Sequence, residues 1–75
     1  MTYRRAIEEA ISIIVQAIYS CGAVEGAREA LQAINDLRIE DAIDLLYYAA
    51  DNAKMLGCLD WYLFVNAADI LSRAL

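Results

Sequence analysis

Apolar residues in the first part of the chain recur every three or four positions, which is the spacing of one helical face. They are Tyr3, Ile7, Ile11, Ile14, Ile18 and Cys21. A second apolar row lies beside them, so only a narrow polar strip remains. The pattern predicts a first helix over 3–21, with Thr2 as its N-cap. Its broad apolar face either forms the centre of a core or lies partly against another chain.

Two glycines predict where helices end. Gly22 is followed by Ala-Val-Glu and Gly57 by Cys-Leu-Asp, so both copies place an apolar and an acidic residue after the glycine. Glycine adopts the left-handed conformation that ends many helices, and a carboxylate in a first turn favours the positive end of the next helix dipole. We therefore expect helices over 24–36 and 59–74 after these turns. Gly26 falls inside the former and is expected to weaken it slightly.

The boundary between the second and third helices contains neither glycine nor proline. Asn35 and Asp36 form a polar pair, and a new apolar period then runs from Ile39 to Leu56. We place the break at 36–38 and a third helix over 39–56, while one long helix through this point is the alternative. The chain is therefore predicted to be a single all-α domain over 1–75, a helical bundle of four antiparallel helices arranged as two αα-hairpins.

The start of the last helix predicts an interface. Five large apolar residues follow one another from Trp61 to Val65 and cover every face of a helical turn. We expect another subunit to cover some of them, because aromatic residues are enriched at binding hot spots. The predicted interface residues are Trp61, Tyr62, Phe64, Val65, Tyr47 and Tyr48. The alternatives are that one bundle accommodates all five residues of the run, and that the tyrosine pair is rim packing.

Composition favours self-association of a small domain. The hydrophobic fraction is 61 %, against roughly 45–50 % for ordinary soluble domains. A chain of 75 residues has only a marginal core in which to bury these side chains. We therefore expect a homo-oligomer, most simply a twofold dimer, with another helical protein as a further possible partner.

Charge and hydropathy exclude two kinds of partner and suggest a location. The net charge of −5, with scattered basic residues, disfavours direct nucleic-acid binding and adhesion to anionic lipid. No apolar run reaches the roughly 18–20 residues of a membrane helix. Glu8 and Glu9 stand where a signal peptide would have its apolar core. We expect a cytoplasmic protein.

The two cysteines allow two states. In an up-down-up-down bundle the first and third turns lie at the same end, which brings Cys21 and Cys58 into one neighbourhood. A disulfide between them is possible and would close a long loop. The other state is a pair of reduced, buried cysteines, as a cytosolic location favours.

No group of residues predicts catalysis. The chain has no histidine, which excludes serine–histidine and cysteine–histidine nucleophile pairs and mixed-ligand zinc sites. Glu40, Asp41 and Asp44 lie along an outer helix face without the geometry of a calcium loop, so we interpret them as solvated. We expect no enzyme activity, no cofactor and no metal site.

Two family resemblances support helical hairpins. The stretch 14–34 resembles a tetratricopeptide-type αα-hairpin at Gly22, at the small Ala27, at Leu31, and at Ile14 and Ile18. The equivalents of Ala27 and Leu31 in the second half are Tyr62 and Asn66. The stretch 42–75 resembles the bundles of the HEPN superfamily, with Asp60-Trp61-Tyr62 leading into Ala67-Ala68. Nucleases of that superfamily use an arginine and a histidine, so the resemblance implies no ribonuclease activity here.

Three functional hypotheses follow. The first is a helical protein–protein interaction module that self-associates through apolar helix faces. The second is a non-catalytic, HEPN-like subunit of a nucleic-acid-processing system. The third is a designed helical scaffold without a biological role, which the absence of proline and the regular hairpins allow.

Overall fold

The computed structural model describes residues 3–75, and every regular element in this range is helical. The helices are α1 (Tyr3–Cys21), α2 (Ala27–Asn35), α3 (Ile39–Met55) and α4 (Tyr62–Ala74), with a short 3-10 turn over Leu59–Trp61 before α4. The predicted all-α bundle of four helices is confirmed. Thr2, the predicted N-cap of α1, lies outside the described residues.

The helices pack in the spatial order α1, α4, α3, α2. α1 lies mainly against α4, α4 against α3, and α3 against α2, whereas α1 and α2 make few contacts with each other. The Cα atoms span 34 × 18 × 16 Å, so the bundle is elongated along its helices. The last turns of α1 and α3 lie at the same end as the first turns of α2 and α4. We call this the disulfide end, because Cys21 and Cys58 are bonded there.

Alanine dominates the core. Twelve of the twenty buried core residues are alanines, and such short side chains let neighbouring helices approach closely. The largest fully buried side chains are Phe64, Ile14, Ile34, Leu46 and Leu71. Within residues 3–75 no polar or charged side chain is buried, so the interior is held by apolar packing alone.

Helices α1, α2 and α3 each end at a residue with positive φ. Gly22 (φ 84°) donates its N–H to the Ile18 carbonyl over 2.8 Å. Gly57 (φ 81°) ends α3, and the next N–H reaches back to the Ala53 carbonyl over 3.0 Å. The sequence predicted both ends. It also predicted the break at 36–38, but not that Leu37 would take the left-handed conformation (φ 61°) at the end of α2.

The second helix starts later than the sequence predicted, directly after Gly26. α2 begins at Ala27 rather than near residue 24, and Gly26 precedes it with φ 100°. Its N–H donates to the Glu29 carboxylate over 3.1 Å. A Cβ at this position would lie 3.0 Å from the Leu45 carbonyl oxygen and 3.2 Å from the Ala49 nitrogen. Gly26 therefore lets the start of α2 approach the backbone of α3 and does not weaken a helix interior.

Candidate functional site

The C-terminus of α1 is covalently joined to the turn between α3 and α4. Cys21 is the last residue of α1, and Cys58 follows the left-handed Gly57. Their Cα atoms are 5.5 Å apart and their side chains form a disulfide. Both cysteines are half-buried. Of the two states left open by the sequence, the structure has the bonded one.

Within residues 3–75 the most exposed large apolar side chains are close in sequence to the two cysteines of this disulfide. They are Tyr19 (87 % exposed), Leu59 (86 %), Met55 (85 %) and Leu56 (74 %). Each lies within three residues of Cys21 or Cys58 in the sequence. We call these four side chains the disulfide-end surface.

Leu56 and Leu59 lie on the segment where α3 ends and the 3-10 turn begins. Leu56 is the last residue of the apolar period that predicted the third helix, yet its side chain is exposed, and α3 ends one residue earlier than predicted, at Met55. Leu56 is the C-cap, and it keeps a helical backbone with its N–H bonded to the Asn52 carbonyl over 3.1 Å while its side chain remains exposed. Leu59 begins the 3-10 turn, in which no residue is buried. The turn thus places apolar side chains where connecting segments normally carry polar ones.

The surroundings of the disulfide-end surface contain charges of both signs. Glu25, Asn52, Met55 and Leu56 line an open depression of about 220 Å³. The Asn52 side chain donates to the Glu25 carbonyl over 2.9 Å, which ties the turn before α2 to α3. The Lys54 ammonium lies 4.6 Å from the centre of the Trp61 ring, in a cation–π contact.

The interface predicted at the start of α4 is largely occupied by the bundle itself. Phe64 is fully buried, so the prediction that it contacts another chain is wrong. The physical reason is that α4 lies between α1 and α3, and Phe64 falls on its inner row. Trp61 and Val65 are half-buried and pack against the core. Tyr62 is 47 % exposed and is the most accessible member of the run.

The tyrosine pair on α3 is half-exposed. The Tyr48 ring covers Gly26, since its Cδ2 would lie 2.9 Å from a Cβ placed there. Tyr48 therefore contributes to the packing of α2 on α3 at the rim of the bundle. Tyr47 is exposed to a similar extent, and both rings remain partly accessible.

Sequence reasoning missed Tyr19, Met55 and Leu59. A signal was present, because the turn Met-Leu-Gly-Cys-Leu has no polar residue between Lys54 and Asp60. Such a turn cannot be buried within a hairpin of two helices. Its apolar composition therefore indicated an exposed surface at the turn more directly than the aromatic run that follows it.

No group of acidic or cysteine side chains within 3–75 is arranged to hold a metal ion. Asp41 instead accepts a hydrogen bond from Arg38 over 3.0 Å on the surface. None of the helices in this range is both long and apolar enough to cross a bilayer. No protein-family model, curated protein or solved structure matches the chain.

Proposed function

We propose that the protein is a small helical interaction module that forms a homodimer through its disulfide-end surface. The observation that supports this proposal is the high exposure of Tyr19, Met55, Leu56 and Leu59 at the end of the bundle that carries the disulfide. Exposed apolar groups of this kind mark interaction sites in soluble proteins. The proposal keeps the self-association expected from composition and moves its centre from the start of α4 to the adjoining turn.

A second copy of the chain suits this surface in charge. Glu25 and Lys54 lie beside it with opposite charges. A twofold contact presents the same surface from both sides, so a cation of one copy can face a carboxylate of the other. The apolar centre needs no partner of a particular charge, and two such ends can exclude water from each other.

The energetics predict a weak dimer. Burying the six aliphatic side chains and two tyrosine rings of two copies contributes about 18 kcal/mol, taking the middle of a range of roughly 1.5–3 kcal/mol for each. Association costs about 4–15 kcal/mol. For a mid-range cost roughly 8 kcal/mol remains, which is a micromolar dissociation constant. The end of the bundle measures 18 × 16 Å between Cα atoms. This cross-section is small beside the roughly 800 Å² that each partner buries in a standard interface, which also favours weak association.

Sedimentation equilibrium of matched variants tests the proposal. We expect the oxidised wild-type protein to be a dimer at high micromolar concentration, and Leu56→Ser, Leu59→Ser to be a monomer with unchanged helix content. Leu37→Ser, Leu75→Ser is the control, because it removes two exposed leucines outside the disulfide-end surface. This control should remain a dimer.

Two outcomes would contradict the proposal. A wild-type protein that stays monomeric near 1 mM has no relevant self-association, since a millimolar constant corresponds to only about 4 kcal/mol. If the Leu56→Ser, Leu59→Ser variant is still a dimer and the control is a monomer, the interface lies outside the disulfide-end surface. A Tyr62→Ser variant tests the start of α4 separately, because Tyr62 is its most accessible member.

A further inference from the structure

The turn that contains Leu56 and Leu59 is joined covalently to α1 and is only partly buried. From Leu56 to Trp61 no side chain is fully buried. Residues 35–38, between α2 and α3, are all exposed as well, but no disulfide joins that turn to another helix. The disulfide therefore adds a covalent tether to α1 beside the partial packing of Cys58 and Trp61 against the core.

The backbone beside each cysteine is uncrowded and able to rotate. Gly22 follows Cys21 and Gly57 precedes Cys58, both with positive φ. A Cβ at either glycine would meet nothing within 4 Å. Both cysteines are also partly exposed. A small thiol can thus approach the bond, and the turn has a flexible residue on which to move once the bond is open.

We propose that the Cys21–Cys58 disulfide is a redox-operated clamp that fixes the disulfide-end surface in its associating form. In the oxidised state the bond joins the α3–α4 turn, which carries Leu59, to the last turn of α1, which carries Tyr19. After reduction the turn moves independently of α1, the apolar side chains separate, and the dimer dissociates. This inference rests on the proposed self-association and adds its regulation.

The step is an ordinary thiol–disulfide exchange with a cellular monothiol of the glutathione type. A thiolate attacks one sulfur, forms a mixed disulfide, and releases the other cysteine as a thiolate that takes up a proton. A second thiol then attacks the mixed disulfide and releases the second cysteine. Two monothiols thereby give up two electrons and two protons, and the products are two protein thiols and one small-molecule disulfide.

Amide hydrogen exchange measured by NMR tests the clamp itself. On reduction we expect exchange of residues 57–61 to accelerate at least about tenfold more than exchange of residues 36–38, which are the internal control. A Cys21→Ser, Cys58→Ser variant should show the same pattern and no further response to reductant. Leu37→Gly serves as a more stable background, in case reduction alone unfolds the wild-type chain.

Sedimentation equilibrium of the same samples tests the regulation. We expect the dissociation constant to rise at least about tenfold on reduction, while helix content is retained. If the reduced protein dimerises as well as the oxidised one, or if residues 57–61 exchange no faster, the clamp is wrong. Loss of helix on reduction in both the wild-type and the Leu37→Gly protein also contradicts the clamp, because the bond then supports the whole fold. A monomeric oxidised protein overturns the proposed function, and exchange confined to the turn would still support the clamp.

Discussion

Replacing Gly26 with alanine tests the close approach of α2 to α3. The added methyl group would lie 2.9 Å from Cδ2 of Tyr48 and 3.0 Å from the Leu45 carbonyl oxygen. The tyrosine ring is half-exposed and can move, but the carbonyl belongs to the backbone of α3 and cannot move alone. The backbone at Gly26 also has a φ of 100°, which residues with a side chain rarely adopt.

The cost of this substitution has two parts. The positive φ costs roughly 1–2 kcal/mol for a residue with a Cβ. Overpacking against a rigid neighbour adds about 1–3 kcal/mol. We therefore expect Gly26→Ala to lower the free energy of unfolding by about 2–5 kcal/mol, a large part of the stability of a small domain.

Urea denaturation followed by circular dichroism measures this loss, and two other glycines provide the controls. Gly22 and Gly57 have positive φ but open space around the Cβ position. Alanine at either should cost only the conformational part, roughly 1–2 kcal/mol. If Gly26→Ala is no more destabilising than Gly22→Ala and Gly57→Ala, the close packing described here is wrong.

Three further substitutions have defined outcomes. Leu37→Gly should raise the free energy of unfolding by about 0.5–1 kcal/mol in urea denaturation, because glycine relieves the left-handed strain and its greater unfolded-state entropy offsets part of the gain; a loss of stability would contradict this. Cys21→Ser, Cys58→Ser should lower it by about 4 kcal/mol in the chain-entropy model, since the bonded residues are 37 apart; equal stabilities of the oxidised protein and the variant would be inconsistent with a loop constraint. Tyr48→Ala in the Gly26→Ala background should recover only part of the loss, because the Leu45 carbonyl remains, and full recovery would assign the clash to the ring alone.

The helices were predictable because the apolar periodicity and the residues that end helices agree. Gly22 and Gly57 have the conformational freedom that a helix end requires, and both helices end where the sequence predicted. Leu37 shows the limit of that reasoning, because a leucine in the left-handed conformation has no local signal. Gly26 shows another limit, since the role of this glycine depends on the backbone of α3, which is distant in the sequence.

The interface prediction was wrong for Phe64 for a related reason. Periodicity shows that Trp61 to Val65 cover every face of a helix, but not that α1 and α3 flank α4 and bury Phe64. Leu56 keeps a helical backbone, so its exposure depends on what packs against the end of α3, which periodicity does not show. The neighbourhood of Cys21 and Cys58, in contrast, followed from topology alone, because alternating helices place the first and third turns at the same end.

Self-association through the disulfide end is tested most directly by an NMR dilution series of the oxidised wild-type protein. Diluting the protein through its micromolar dissociation constant should change the amide chemical shifts of residues 19–22 and 55–60 along one binding curve. The amides around Leu37 and Leu75 should not change. Shifts that are independent of concentration, or shifts centred on those two leucines or on Tyr47 and Tyr62, would contradict a dimer formed through Tyr19, Met55, Leu56 and Leu59.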